Sequence, residues 1–199
     1  MQRYAITDGR LWFSPGREAA ERLAEACAAL AADGVNLILV REKELAAGEL
    51  ASVCRAVLRS VRATGTETKL LVAQRLDVAI AVGADGVHLS GQPGELTAVQ
   101  VRELMPQAFV SVSCHSLAEV VRARETGASA VLFGPVFGKR VDGVEVVPGV
   151  GLAALCEACG AGVPVFALGG IAPETAGECI EAGASGVAGI RMFFGDQEC

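Results

Sequence analysis

His115 stands between Cys114 and Ser116, directly after the run Phe109–Ser113. Imidazole titrates near neutral pH, so a histidine at the end of a strand can act as a general acid or base. The same position also suits a residue just ahead of a helix, with Ser116 as its N-cap. Position by itself leaves these two readings evenly matched. His88 lies inside Gly86-Val87-His88-Leu89 and reads as a buried, hydrogen-bonded structural histidine.

Glycines supply a second kind of chemistry. Gly169-Gly170 follow one apolar run, and Gly189 and Ile190 close the last one. Glycine lets an anion approach backbone N–H groups, and Pro173 suits the first position of a following helix. The alternative is that these glycines only end strands; the pair together with a third glycine favours a phosphate cradle. Cations supply a third. Arg41 and Lys43 follow Leu37-Ile38-Leu39-Val40, on one side of the strand end, with Glu42 on the other. They suit an anionic substrate, although any strand must emerge into polar residues. Gln74 after the third strand and Lys139 after the sixth complete the set of substrate-binding candidates.

These residues need elements to carry them. The pattern Gly-Ala-(Asp/Ser)-(Gly/Ala)-Val occurs at 83–87, 127–131 and 183–187, with a degenerate copy at Asp33-Gly34-Val35. Each copy follows an Ala-rich amphipathic run and leads into an apolar run. That is a helix stopping at a glycine, then a buried strand. Strands are expected at 4–8, 37–41, 70–73, 86–89, 109–113, 130–134, 165–168 and 186–190. Helices are expected near 17–32, 49–63, 75–82, 95–104, 116–126, 151–160 and 173–182. Near-continuous apolar strands alternating with helices predict a parallel sheet buried on both faces. Eight such units predict an α/β fold, a single-domain (β/α)8 TIM barrel over residues 1–199. An open doubly wound sheet is the alternative, but no Gly-x-Gly-x-x-Gly follows the first strand. The longest irregular stretch, 138–150, is a candidate lid.

Composition narrows the function. The chain has 199 residues, 52% of them apolar, and a net charge of −6 with no basic tract, which speaks against nucleic-acid binding. No apolar run is long enough to span a membrane. Met1–Ile6 enters a strand-like run at once, which leads us to expect no signal peptide and a cytoplasmic location. The seven cysteines, Cys156-x-x-Cys159 included, read as mostly buried free thiols, with no metal site. The oligomeric state, a homo-oligomer included, stays open at this level.

Taken in order, several segments resemble the thiamine phosphate synthase and thiazole tautomerase (TenI) superfamily over nearly the whole chain. They are Tyr4-Ala5-Ile6-Thr7-Asp8, Val40-Arg41-Glu42-Lys43, Asp77-Val78-Ala79 with Val82–Leu89, Ser113-Cys114-His115-Ser116, Phe133–Phe137, Leu168–Ile171 and Gly186–Ile190. The resemblance implies a (β/α)8 fold, thiamine biosynthesis, and a small-molecule thiazole phosphate held by the loops after the seventh and eighth strands. It implies that the synthase branch joins this thiazole to a hydroxymethylpyrimidine pyrophosphate with magnesium. That branch's pattern is broken here. Ala73-Gln74 stands for Asn-Asp, Gly91-Gln92-Pro93-Gly94 lacks an acid, Leu39 replaces a glutamine, and Gly138-Lys139-Arg140 replaces a Thr-rich segment. Arg191 stands where a small hydroxyl residue is usual. The losses fall on the pyrophosphate half. The resemblance therefore points to the tautomerase branch, with His115 as its acid/base, Arg41 and Lys43 facing a carboxylate, and no cofactor. Magnesium returns if the synthase alternative holds. A non-catalytic thiazole-phosphate-binding regulator is a third reading.

Overall fold

Apolar runs with both faces covered form the strands. The computed structural model describes residues 1–8, 17–141 and 144–195, with backbone only at 17, 139–141 and 144–145. The strands are β1 (Gln2–Ile6), β2 (Leu37–Val40), β3 (Lys69–Ala73), β4 (Gly86–Leu89), β5 (Phe109–Cys114), β6 (Ala130–Phe133), β7 (Lys139–Val141), β8 (Val144–Val147), β9 (Val165–Leu168) and β10 (Gly186–Gly189). Eight of them close into a parallel barrel in the order β1-β10-β9-β6-β5-β4-β3-β2. Closure is made by Ala5 opposite Gly189 and Ile6 opposite Leu39. The open-sheet alternative falls with it.

The helices are α1 (Arg17–Ala32), α2 (Ala47–Ala63), α3 (Leu76–Val82), α4 (Ala98–Leu104), α5 (Leu117–Glu125), α6 (Gly151–Cys159), α7 (Pro173–Glu181) and α8 (Arg191–Phe194). The repeated glycine junction works as its sequence implies. Gly83 ends α3 with φ 68°, returning its N–H to Ala79 and Ile80 carbonyls before β4 begins.

Strand alternation divides the core in two. Tyr4, Leu37, Leu39, Leu71, Leu132 and Phe166 fill the lumen. The opposite rows, such as Ile38 and Val40, pack against the helices with Leu23, Val57 and Leu155. Tyr4 and Phe166 meet edge to face in the lumen, ring centroids 5.4 Å apart.

One expectation needs correction. Within the stretch 138–150, β7 and β8 pair antiparallel, while residues 142–143 lie outside the described residues. Val-Glu-Val-Val at 144–147 has the β-branched content of a strand, but Glu145 interrupts the apolar run by which the other four-residue strands are read. Of the six described cysteines, four are buried; Cys159 is half-buried and Cys156 is exposed on α6.

Candidate active site

The strand C-termini open onto one mouth. At its β5 side, Ser116 caps α5 by accepting the Glu119 N–H, and Glu119 Oε2 accepts the His115 N–H at 2.6 Å. The capping reading of this segment is therefore correct, and it fixes the His115 backbone. The ring is exposed. Its Nδ1 lies 2.5 Å from the Gly134 carbonyl oxygen. A carbonyl can only accept, so Nδ1 carries the hydrogen and a neutral ring presents Nε2 as the basic nitrogen. Among the described residues Nε2 has no partner. Capping and proton transfer are thus compatible at His115.

Beyond the β6 loop, on the same side of the mouth, stands the β9 loop. Val136 N–H donates to Leu168 O at 2.8 Å and Phe137 N–H to Gly169 O at 3.0 Å, so this loop and the β6 loop run side by side. A Cβ on Gly169 would lie 2.5 Å from Pro135 Cα, and one on Gly170 2.7 Å from Gly138 O. Both glycines also have positive φ, 96° and 68°. Their packing alone demands glycine. The N–H groups of Gly170 and Ile171 nonetheless have no hydrogen-bond partner among the described residues, and they precede Pro173 at the start of α7. That is an anion-binding geometry. Gly189 ends β10, half-buried, and Ile190 is the N-cap of α8. Arg191 opens α8 and is exposed.

The cations come from β2. Arg41 is half-buried and Lys43 exposed. Gln74, at the end of β3, has φ 58° although it is not glycine. Its Nε2–H donates to Glu95 Oε1 at 3.0 Å, and Glu95 Oε2 accepts the Ser90 N–H at 3.0 Å. The Lys139 side chain lies outside the described residues; its backbone is in β7.

His88 is the structural residue its sequence context implies. It stands opposite Ser111 in the β4–β5 register. Nδ1 lies 2.9 Å from Ser111 Oγ, Nε2 2.9 Å from Ser113 Oγ, and Ser111 Oγ 2.8 Å from the Tyr4 hydroxyl. Burial, then the Arg41 charge, pushes His88 down to about 4, so the ring is neutral. Sequence reading missed this Tyr4–Ser111–His88–Ser113 chain. Its signal was the period-two serines 111 and 113 on an otherwise apolar strand. Sequence reading also missed the bond between Thr7 and Glu42, both of them buried.

A family model described as thiamine monophosphate synthase matches residues 4–193. The chain belongs to this family. A relative called putative thiamine-phosphate synthase 2, from Aquifex aeolicus, is 36% identical over 194 residues, 96% of each chain. The thiamine-phosphate synthase of Methanoregula boonei is 37% identical over 197 residues, 98% of this chain and 86% of the relative. The solved thiamine phosphate pyrophosphorylase from Pyrococcus furiosus superimposes with a TM-score of 0.81 at 28% identity, covering 98% of this chain and 88% of that one. This thiamine monophosphate synthase family member therefore shares its barrel with the solved pyrophosphorylase and aligns over most of the length of each relative. No helix among the described residues is long and apolar enough to cross a membrane.

Proposed function

We propose that this chain is an enzyme of thiamine biosynthesis that holds a thiazole phosphate at the barrel mouth. The observation that carries it is full-length kinship with proteins named thiamine-phosphate synthase, together with the unpartnered Gly170 and Ile171 N–H groups before α7. Those groups receive the phosphate, and Arg41 and Lys43 balance its charge. The relatives' names support the synthase reaction, in which the thiazole is joined to a hydroxymethylpyrimidine pyrophosphate.

A second reading, thiazole tautomerase, is favoured by a specific observation. Magnesium prefers charged oxygen ligands. Among the described residues no group of three or more His, Cys, Asp or Glu could hold a metal. Gln74 is uncharged, and both oxygens of Glu95 are engaged by Gln74 and Ser90. The residues present do not fit the ion. A proton shift needs only a positioned acid/base, and His115 presents Nε2 for it.

One pair of assays separates the readings. Thiamine phosphate formed from thiazole phosphate and hydroxymethylpyrimidine pyrophosphate, with and without magnesium, supports the synthase. Aromatisation of the thiazole carboxylate phosphate, lost in His115→Asn, supports the tautomerase. Binding of thiazole phosphate with neither turnover leaves the regulator; no binding at all ends the proposal.

A further inference from the structure

Thr7 and Glu42 lie one and two residues past the ends of neighbouring strands β1 and β2. The pairing continues there, since the Thr7 N–H donates to Leu39 O at 2.9 Å. Thr7 is fully buried and Glu42 is 4% exposed. The Thr7 hydroxyl donates to Glu42 Oε1. The same hydroxyl oxygen accepts the Arg41 backbone N–H at 3.0 Å. One side chain therefore ties the backbone that launches Arg41 to the carboxyl of the next residue.

Alternation separates the two residues' tasks. Leu37 and Leu39 face the lumen, and Ile38 and Val40 face the helices. Arg41 continues the lumenal row into the mouth, whereas Glu42 continues the outer row. Glu42 helps line a cleft of about 300 Å³ with Lys43, Leu50 and Gln74. Its second oxygen, Oε2, is buried with no hydrogen-bond partner among the described residues. A buried carboxyl with one idle oxygen is costly, and its retention calls for a task.

We propose that Glu42 is a positioning residue: acting through the Thr7 hydroxyl, it fixes the backbone at Arg41 and so aims Arg41 into the anion-binding mouth. The proposal rests on the reading of that mouth as a phosphate site. The groups facing Glu42 are Thr7 and Asp8 beyond β1, Arg41 beside it, Cys27 from α1 and Cys54 from α2. Burial pushes its carboxyl up to about 7, with Thr7 and Arg41 opposing and Asp8 reinforcing. Ionised Glu42 accepts the Thr7 hydrogen in a charge-assisted bond and makes the Thr7 oxygen a better acceptor. Protonated Glu42 weakens both bonds. The anchor therefore tightens as pH rises through about 7.

The test uses the full chain and three variants. Thr7→Val removes the hydroxyl but keeps its shape, Thr7→Ser keeps the hydroxyl, and Glu42→Gln keeps shape without charge. Amide hydrogen exchange at Arg41, followed by NMR without ligand, is expected to speed up about tenfold in Thr7→Val, one hydrogen bond's worth. It is expected to quicken less in Glu42→Gln and to stay at the wild-type rate in Thr7→Ser. Wild-type protection, relative to neighbouring amides, is expected to deepen through pH 7 and to lose that dependence in Glu42→Gln. Calorimetry with inorganic phosphate is expected to weaken about three- to tenfold in Thr7→Val and Glu42→Gln, and to recover in Thr7→Ser. Unchanged Arg41 exchange in Thr7→Val overturns the anchor. Changed exchange with unchanged phosphate affinity overturns its role in aiming Arg41. Wild-type chain that binds no phosphate instead refutes the anion site, while the exchange series still decides the anchor.

Discussion

Gln74 and Glu95 close the rim between β3 and β4 with an amide-to-carboxylate hydrogen bond of 3.0 Å. Gln74 makes that bond from a left-handed backbone, φ 58°, that costs a non-glycine residue energy. The pair leaves one negative charge where two would repel.

Gln74→Glu is therefore expected to lower stability by about 0.5–1 kcal/mol at neutral pH, through like-charge repulsion at an exposed rim. Added magnesium is expected to restore the melting temperature in the variant and to leave the wild type where it was. A variant that melts with the wild type, with or without the ion, refutes this account of the rim.

His88 and Glu42 should pull stability in opposite directions with pH. Burial, then Arg41, lowers His88 from 6.5 to about 4. As pH falls through that interval the unfolded chain takes up a proton that the folded chain refuses, and stability is lost. Burial raises Glu42 from 4.5 to about 7. As pH rises through that interval the unfolded chain releases a proton that the folded chain keeps, and stability is again lost. Where the intervals overlap, the two slopes, each up to about 1.4 kcal/mol per pH unit, offset one another. Urea melts from pH 4.5 to 6.5 are expected to be nearly level for the wild type. They should tilt downward with rising pH in His88→Gln and upward in Glu42→Gln. Identical profiles in all three proteins would remove both residues from the pH response.

Two glycines near α7 should respond differently to the same change. Gly170→Ala forces a Cβ to 2.7 Å from Gly138 O at φ 68° and is expected to cost about 1–3 kcal/mol and to weaken phosphate binding. Gly177, inside α7, has nothing within 4 Å of an added Cβ. Gly177→Ala is expected to gain about 0.5–1 kcal/mol with binding unchanged. Thermal melts and phosphate calorimetry on both variants check this; equal effects would sink it.

The barrel was legible because its signals are local. Glycines such as Gly83 stop helices wherever they stand, and apolar strand runs announce burial on both faces. His115 was legible as a candidate because few side chains titrate near neutrality. The Thr7–Glu42 and His88–Ser113 bonds were harder to find, since each joins segments that only barrel register brings together. Glu42 was read as the residue pointing away from the site; that direction was correct, and it concealed what the carboxyl holds. The β7–β8 pair escaped because neither strand is a continuous apolar run: Lys139 and Arg140 open β7 and Glu145 interrupts β8. The sequence weighs an anion cradle against plain strand ends for the glycines at 169 and 170, and neither reading includes the contacts with Pro135 and Gly138 that require them.

The edge-to-face meeting of Tyr4 and Phe166 has a corollary for access. With these rings and their neighbours filling the lumen, a molecule held at His115 or Gly170 meets solvent at the strand C-termini and not along the barrel's axis.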